Sequence, residues 1–383
     1  MSAAKKALRV LHLASFAGNI GDLANHAGAR LQFQRYLDYE LSFTELEIRE
    51  FYWKQRSFDD DFVRYANSFD LLLIGGGNYF ELWVESSATG TSIDITPQRL
   101  AALKVPAVFY SLGVDIGQGY TAASADRFRS FMAEVLARET MFVCVRNDGS
   151  SSALEEVLGA EIALRVPVMP DGGFFAQAPN TNRSFERPRK IVINIAGDML
   201  ERRFSEQRTT QQFLKELADT CSSVLDAHDR LVIELASHIW RDTVLIAQLL
   251  PLIPDRHLRR RVVVSSLAPT GTGLPAFLSL YGNCDLALGM RFHANVCPIG
   301  MATPTLGLLT YPQVEKLYAE LGMKDRLLDV ARCDGELMRE RVLRELSELS
   351  RTHARYVEAS PKLQQQAKSV LDGMNAWLHA CIS

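Results

Sequence analysis

The sequence predicts an α/β protein built on parallel sheets, and three observations carry that expectation. Short apolar runs recur along the 383 residues, punctuated by Gly or Asn. Amphipathic helical stretches lie between them, the pattern of successive βαβ units. The runs are continuously apolar rather than alternating, as strands covered on both faces are. They are Leu8–Leu13, Leu71–Ile74, Ala107–Leu112, Met141–Val145, Ile191–Ile195, Leu231–Leu235, Val262–Val264 and Leu286–Leu288. Ahead of the Met141–Val145 run, Phe128, Phe131, Met132, Val135 and Leu136 recur at spacings of three and four and put one apolar stripe on a helix.

Hydrophobic residues make up 47% of the chain and charged residues 23%, the balance of a folded globular protein rather than a disordered or membrane-embedded one. At roughly 100–200 residues per domain, the length predicts two. A stretch poor in apolar residues, Gln177–Lys190, is the expected linker, giving an N-terminal domain over 1–178 and a C-terminal domain over 188–332. From 333 to 383 the chain is helix-forming and free of strand signals, and it is expected to pack back on the domains with a break between two helices at Ser360-Pro361. No repeat of fixed period marks a solenoid or propeller.

Forty-two basic residues against 45 acidic ones leave a net charge of −3, which excludes a general field for nucleic acid, so any anion must be held locally. The six cysteines show no metal-ligand spacing and read as free thiols of a reducing compartment; no metal is expected. The N-terminus lacks a signal-peptide core and no run approaches ~18 apolar residues, so the expected location is cytoplasmic.

Ligands of an open parallel sheet bind beyond the carboxyl ends of its strands, so the loops there come first. The first strand leads into Gly18-Asn19-Ile20-Gly21-Asp22, and the strand ending at Ile74 leads into Gly75-Gly76-Gly77-Asn78. Glycine lets backbone N–H groups approach a ligand, and a helix starting at either loop would turn its positive end toward an anion. A tight turn explains each loop equally well. Neither loop matches GxxxxGK[ST], and the first lacks GxGxxG, which argues against nucleoside triphosphate hydrolysis and NAD chemistry. A third loop places Arg146 at the end of an apolar strand, where its charge requires an internal carboxylate or a bound anion.

The densest segment is Asp285-Leu-Ala-Leu-Gly-Met-Arg-Phe-His-Ala294, where Arg291 and His293 follow a strand and a glycine. Guanidinium groups match phosphate and carboxylate oxygens with paired hydrogen bonds, so two arginines and a histidine make an oxyanion cradle. His238 and Asp242 follow another strand; they are candidates for the same edge, with helix capping by Asp242 the alternative.

Taken in order, GNIGD, DLLLIGGGNYFE, SLGVDIG, FVCVRNDGSS, VMPDGGF, the His238–Asp242 segment, GMRFHA and YPQVEKLYAELGM resemble the polysaccharide pyruvyl transferase family over about Leu8–Met323. The resemblance implies a glycosyltransferase-B-like architecture of two Rossmann-like domains facing a central cleft. It implies transfer of the pyruvyl group of phosphoenolpyruvate to two hydroxyls of a sugar, forming a cyclic ketal and releasing phosphate, with no other cofactor. By similarity Arg146, Arg291 and His293 belong to the donor site. Gln313 stands where family members often carry a basic residue, and Lys316, one turn later, is the candidate substitute.

Such chemistry needs a proton delivered to C3 of the donor, a base for the incoming hydroxyls, and cations facing the departing phosphate. Arg146 and Arg291 are the expected anion binders, and His293 binds the donor or delivers the proton. Asp22 and Glu81 are candidates for acceptor binding or base work. Gly18, Asn19, Gly21, Gly76, Gly77, Asn78, His238 and Lys316 complete the substrate-binding set. A nucleotide-sugar glycosyltransferase of the same build and a non-catalytic glycan-binding relative are the alternatives. The acceptor is a carbohydrate; a lipid-linked one would bring transient contact with a membrane surface.

Overall fold

The computed structural model describes residues 5–179, 181, 189–204, 208–268 and 270–382. All eight apolar runs are strands within two parallel six-stranded sheets, each the centre of one compact unit. Part of the expected linker, Asn180 and residues 182–188, lies outside the described residues.

The first unit comprises Met1–Phe16, Ala29–Gly172 and Lys362–Ser383. β1 (Lys6–Ala14) is followed by helix α1 (Ile20–Tyr36) and β2 (Tyr39–Glu47). Then come β3 (Leu71–Gly75), β4 (Phe80–Glu81), β5 (Ala107–Leu112), β6 (Val114–Asp115), helix α2 (Ala122–Ala137), β7 (Met141–Arg146) and β8 (Val168–Met169). The sheet order is β2-β1-β3-β5-β7-β8, so the strand order reverses between β1 and β3. Every residue of β3 is buried, which is what its LLLIG sequence anticipates.

α2 is capped by the Thr121 side chain, which accepts from Ser124 N–H, and it buries Phe128, Phe131, Met132 and Val135 as its spacing predicts. Phe80 packs its ring against Phe109, Phe128 and Phe131, with centroids 6.2, 5.1 and 6.1 Å away. Full burial of such a ring stabilises by about 1.5–3 kcal/mol. It also anchors the short β4–β6 ribbon, whose register sets Glu81 opposite Asp115.

No helix begins at Gly75–Asn78, contrary to the expectation for that loop. Gly76 takes φ 80°, a left-handed conformation that side chains resist. Gly77 O accepts from Gly113 N–H, and Asn78 donates to Asp115. The loop therefore continues into β4, with the turn made at Gly76.

The second unit comprises Ala17–Gly28 and Gly173–Pro361. β9 (Lys190–Asn194) precedes helix α3 (Thr210–Ala227), β10 (Val232–Ala236), helix α4 (Trp240–Leu249), β11 (Val262–Val264) and helix α5 (Leu274–Gly282). β12 (Leu286–Gly289), helix α6 (His293–Gly300), β13 (Thr305–Leu309), helix α7 (Pro312–Glu320) and β14 (Leu327–Asp329) complete the sheet region. The order β11-β10-β9-β12-β13-β14 is that of a Rossmann sheet, with its reversal between β9 and β12.

Two helices, α8 (Gly335–Ser347) and α9 (Leu349–Cys381), close the chain. The expected break at Ser360-Pro361 does not occur; the break lies at Glu348, and α9 runs through Pro361. Proline inside a helix costs about 3 kcal/mol. Here it sits on the exposed side, while Thr352, Tyr356, Leu363, Ala367, Val370, Leu371, Met374 and Leu378 form one buried stripe across it. That continuous stripe outweighs the lost backbone bond. Within the first unit the end of α9 is tied down by Asn375, whose Nδ2 donates to Asp38 (2.7 Å), and by Trp377, whose Nε1 donates to Glu139 O (2.7 Å). All six cysteines are free thiols, five of them buried.

Candidate active site

In the second unit the carboxyl ends of β9, β10 and β12 carry Asn194, His238 and Arg291. Asn194 is fully buried; its Oδ1 accepts from Arg291 N–H (3.0 Å) and its Nδ2 donates to Ala236 O (3.0 Å). One amide thus fixes three strand ends at the reversal point. The Arg291 guanidinium donates through Nε and Nη2 to Asp242 at 2.7 and 2.5 Å, and through Nη1 and Nη2 to Asp198 at 3.3 and 3.1 Å. Arg203 donates to Asp198 at 3.2 Å and to Thr310 Oγ1 at 3.1 Å. The second sheet's edge therefore holds two guanidinium groups and two carboxylates in one network.

Burial alone would raise the carboxyls of Asp242 and Asp198, but the charge and hydrogen bonds of Arg291 prevail and both lie below the usual carboxylate range. Burial works against the Arg291 cation as well, and Asp242 and Asp198 reverse it, so Arg291 lies above its ordinary value. Arg203 is lowered by burial, which Asp198 only partly offsets. Both aspartates are ionised partners that hold Arg291 in one pose.

His293 opens α6 and is 6% exposed, with Nδ1 3.8 Å from Asp22 Oδ1. Asp22 is held in turn by Asn19, whose Nδ2 donates to the same oxygen at 3.0 Å while its Oδ1 accepts from Gly21 N–H at 3.1 Å. The Gly18–Asp22 loop is further pinned where Ile20 N–H donates to His238 O (3.3 Å). Gly21 is required by proximity: a Cβ there would lie 2.7 Å from both Cβ and Nδ1 of His293. Gly21→Ala should lower stability by about 1–3 kcal/mol through overpacking and slow turnover. Gly373→Ala, in a helix with open space around it, should be neutral or stabilising. Urea denaturation of the two variants checks this.

His238 occupies the predicted strand end but turns inward. Its Nε2 lies 2.8 Å from Tyr281 Oη, Phe277 packs edge-on at 4.9 Å, and the residue is 1% exposed. Burial lowers its pKa to about 3, so the ring is neutral. Its backbone does the connecting: His238 O receives Ile20 N–H, and His238 N–H donates to Asp242 (2.9 Å). Asp242 accepts from Ile239 N–H at the start of α4, as expected of a capping residue, and it also binds Arg291. Lys316 is half-buried on α7, one turn after Gln313. That helix is tied to the Arg291 turn through Tyr318, which donates to Asn295 Oδ1 (2.9 Å), while Asn295 donates to Arg291 O (2.8 Å).

The remaining predicted residues lie in the first unit. Arg146, 3% exposed, has internal carboxylates beside it. Nε and Nη2 donate to Asp148 at 2.8 and 2.7 Å, and Nη1 lies 3.5 Å from Asp171. Glu81 accepts from Ser92 Oγ (2.5 Å), and Asn78 donates to Asp115 (3.0 Å). Burial, aided by the Asp115 charge and opposed by hydrogen bonds from Ser92 and Asn78, pushes the Glu81 carboxyl up to about 7. The strand-end Ser111 takes φ 47° where the β5–β7 register shifts, and Gly113, brought past Asn78 and Arg146, has no room for a side chain.

A carboxyl raised in this way keeps its proton in the folded state while the unfolded chain has lost it. Stability therefore falls as pH rises from about 4.5 to 7 and levels off above. Glu81→Gln removes that slope, and above pH 7 the variant should be more stable than the wild type by at most about 3 kcal/mol. Urea titrations between pH 4.5 and 8 measure the difference.

Comparison with known protein families matches residues 19–311 to Polysaccharide pyruvyl transferase. The chain belongs to that family. It is thus an enzyme, a transferase with a pyruvyl-transfer role in polysaccharide biosynthesis, and the family implies a carbohydrate acceptor. A comparison with curated proteins finds no match. Among solved structures, the transferase is similar to the Staphylococcus aureus MnaA–UDP co-structure, with a TM-score of 0.53, 10% identity and 97% of each chain covered. It also matches the E. coli ADP-heptose lipopolysaccharide heptosyltransferase II, with a TM-score of 0.48, 11% identity, 89% of this chain and 99% of that one. The fold is the expected glycosyltransferase-B-like one with two Rossmann-like sheets. Among the described residues no helix of this pyruvyl transferase is long and apolar enough to cross a membrane.

Proposed function

We propose that the enzyme takes phosphoenolpyruvate as donor and converts two hydroxyls of a carbohydrate into a cyclic pyruvate ketal, releasing inorganic phosphate. The observation that carries this reading is the grouping of Arg291, His293 and Asp22 at the reversal point of the second sheet, within the matched span.

Arg291 is oriented from one side by Asp242, which is closed to solvent, and met from the other by Asp198, whose side chain is 26% exposed. The donor's anionic oxygens take the place of Asp198 on Nη1 and Nη2, leaving the Asp242 pair intact. C3 of the donor then gains a proton and C2 becomes oxocarbenium-like. One hydroxyl bonds to C2 and loses its proton; the C2–O bond to phosphate breaks, and the second hydroxyl closes the ring and loses its own. Two protons leave the acceptor, one ending on C3 and one on phosphate, so the reaction balances with no further cofactor.

His293, steered by Asp22, serves as the proton carrier at the donor. Glu81, whose carboxyl titrates near neutrality, suits base work on the acceptor, and Arg146 by family likeness assists with the donor's charge. The test is calorimetric titration with phosphoenolpyruvate, with a uridine diphosphate sugar as control, followed by phosphate-release assays across candidate glycans. Saturable phosphoenolpyruvate binding that is absent for the nucleotide sugar is expected. Binding of the nucleotide sugar alone would overturn the donor assignment and favour glycosyl transfer.

A further inference from the structure

A second cationic site lies in the same unit, away from the residues above. A cavity of ≈ 240 Å³ is lined by Arg326, Arg341, Arg344, Arg351 and Arg355. Its carboxylates are Asp325, Glu345 and Glu348, so the wall carries five guanidinium groups against three acids, a surplus of two positive charges.

The surplus is located on particular residues. Arg355 is matched to Asp325 at 2.6 and 2.9 Å, and Arg326 to the buried Glu345. Arg341 shares Glu345 at 3.4 Å. Arg351, 77% exposed, forms an ion pair with Glu348 at 3.6 Å, which solvent screens and which leaves its guanidinium open to the cavity. Arg344 is exposed and has no carboxylate at ion-pair distance among the described residues. Arg344, near the end of α8, and Arg351, in the first turn of α9, flank the break at Glu348 and both line the same cavity. Like charges so placed repel one another, and a multivalent anion relieves the repulsion while accepting paired guanidinium bonds.

Position separates this cavity from the donor site. Arg326 immediately precedes β14, and its guanidinium donates to Thr305 O at the start of β13 at 3.2 and 3.1 Å. The cavity therefore lies at the amino edge of a parallel sheet whose carboxyl edge carries Arg291 and His238. A strand of five residues spans about 16 Å, so no single small ligand bridges both edges.

We propose that this cavity binds a phosphate- or diphosphate-bearing anion, at a site distinct from the donor cradle. The chemistry is the same whether the group is a free phosphate ester or an anionic lipid headgroup, and the test separates the two. Inorganic pyrophosphate is titrated by calorimetry into the wild type, Arg291→Ala and the double variant Arg344→Gln/Arg351→Gln, and each protein is sedimented with vesicles containing phosphatidylglycerol. Circular dichroism confirms folding; the exposed glutamines leave the core intact.

Pyrophosphate binding retained in Arg291→Ala and weakened at least tenfold in the double variant supports the proposal and identifies a soluble ligand. Vesicle association lost in the double variant, with weak pyrophosphate binding, supports it with a lipid source. Binding unaffected by the double substitution, or no binding of either probe by the wild type, overturns it. Phosphoenolpyruvate affinity in the double variant should equal that of the wild type, which keeps this outcome independent of the donor assignment.

Discussion

Arg291→Ala will lower phosphoenolpyruvate affinity by two orders of magnitude or more and destabilise the protein by about 3–5 kcal/mol. The second effect follows from what the guanidinium leaves behind. Asp242 is closed to solvent and gives both its oxygens to Arg291, and Asp198 loses one of its two cations. Removing one member of a buried pair strands the other's charge, which costs far more than the pair itself contributes.

Arg291→Lys keeps the charge and loses the paired geometry, so it should recover part of the stability and little of the affinity. The acid limb of stability should change as well. Asp242 and Asp198 ionise below their ordinary range when Arg291 is present, so their contribution is complete above the unfolded carboxylate range and is lost as pH falls through their folded values. In Arg291→Ala that acid-side loss should shrink. Calorimetry and urea titration between pH 3 and 7 read both effects, and phosphoenolpyruvate affinity within threefold of wild type would remove Arg291 from the donor site.

His293→Ala should reduce turnover by about 10²–10⁴, the usual contribution of a positioned proton carrier, with a smaller change in donor affinity. Asp22→Asn should cost about tenfold by leaving the imidazole less firmly held at the α6 start. If Asp22 acts through His293, adding Asp22→Asn to His293→Ala changes little further, because the partner it positions is already gone. Multiplicative losses in the double variant would show that Asp22 works independently, as an acceptor ligand or base in its own right.

Continuously apolar strands were legible because burial on both faces removes the need for polar residues. The run at Leu71–Ile74 is the clearest case, and it is fully buried. β2 escaped notice for the opposite reason: as an edge strand paired only with β1, its sequence YELSFTELE turns polar side chains outward. Pro361 misled because a local rule about helix breaking takes no account of a tertiary stripe continuing on the other side.

At the site, Arg291, His293 and Asp22 announced themselves by position after strands and glycines. Asp198 and Arg203 did not, although Asp198 follows Gly197 beyond β9 in the same topological place as Arg291 and His293 beyond β12. That Arg291 is paired by Asp198 and Asp242, and Arg146 by Asp148, is a matter of three-dimensional neighbours; sequence shows a need for countercharge and not its source.

The Gly18–Asp22 loop belongs to the second compact unit although it is written near the beginning of the chain, while His293, against which it packs, is written near the end of the family span. The enzyme is therefore not modular at the Gln177–Lys190 segment. A chimera joined there from two relatives would take its Asp22 and Gly21 from one parent and its His293 from the other, and recombination would succeed only between parents in which the loop of one still fits the α6 start of the other. During synthesis the same arrangement delays the site: the loop emerges early but meets His293 only after the second sheet has been made.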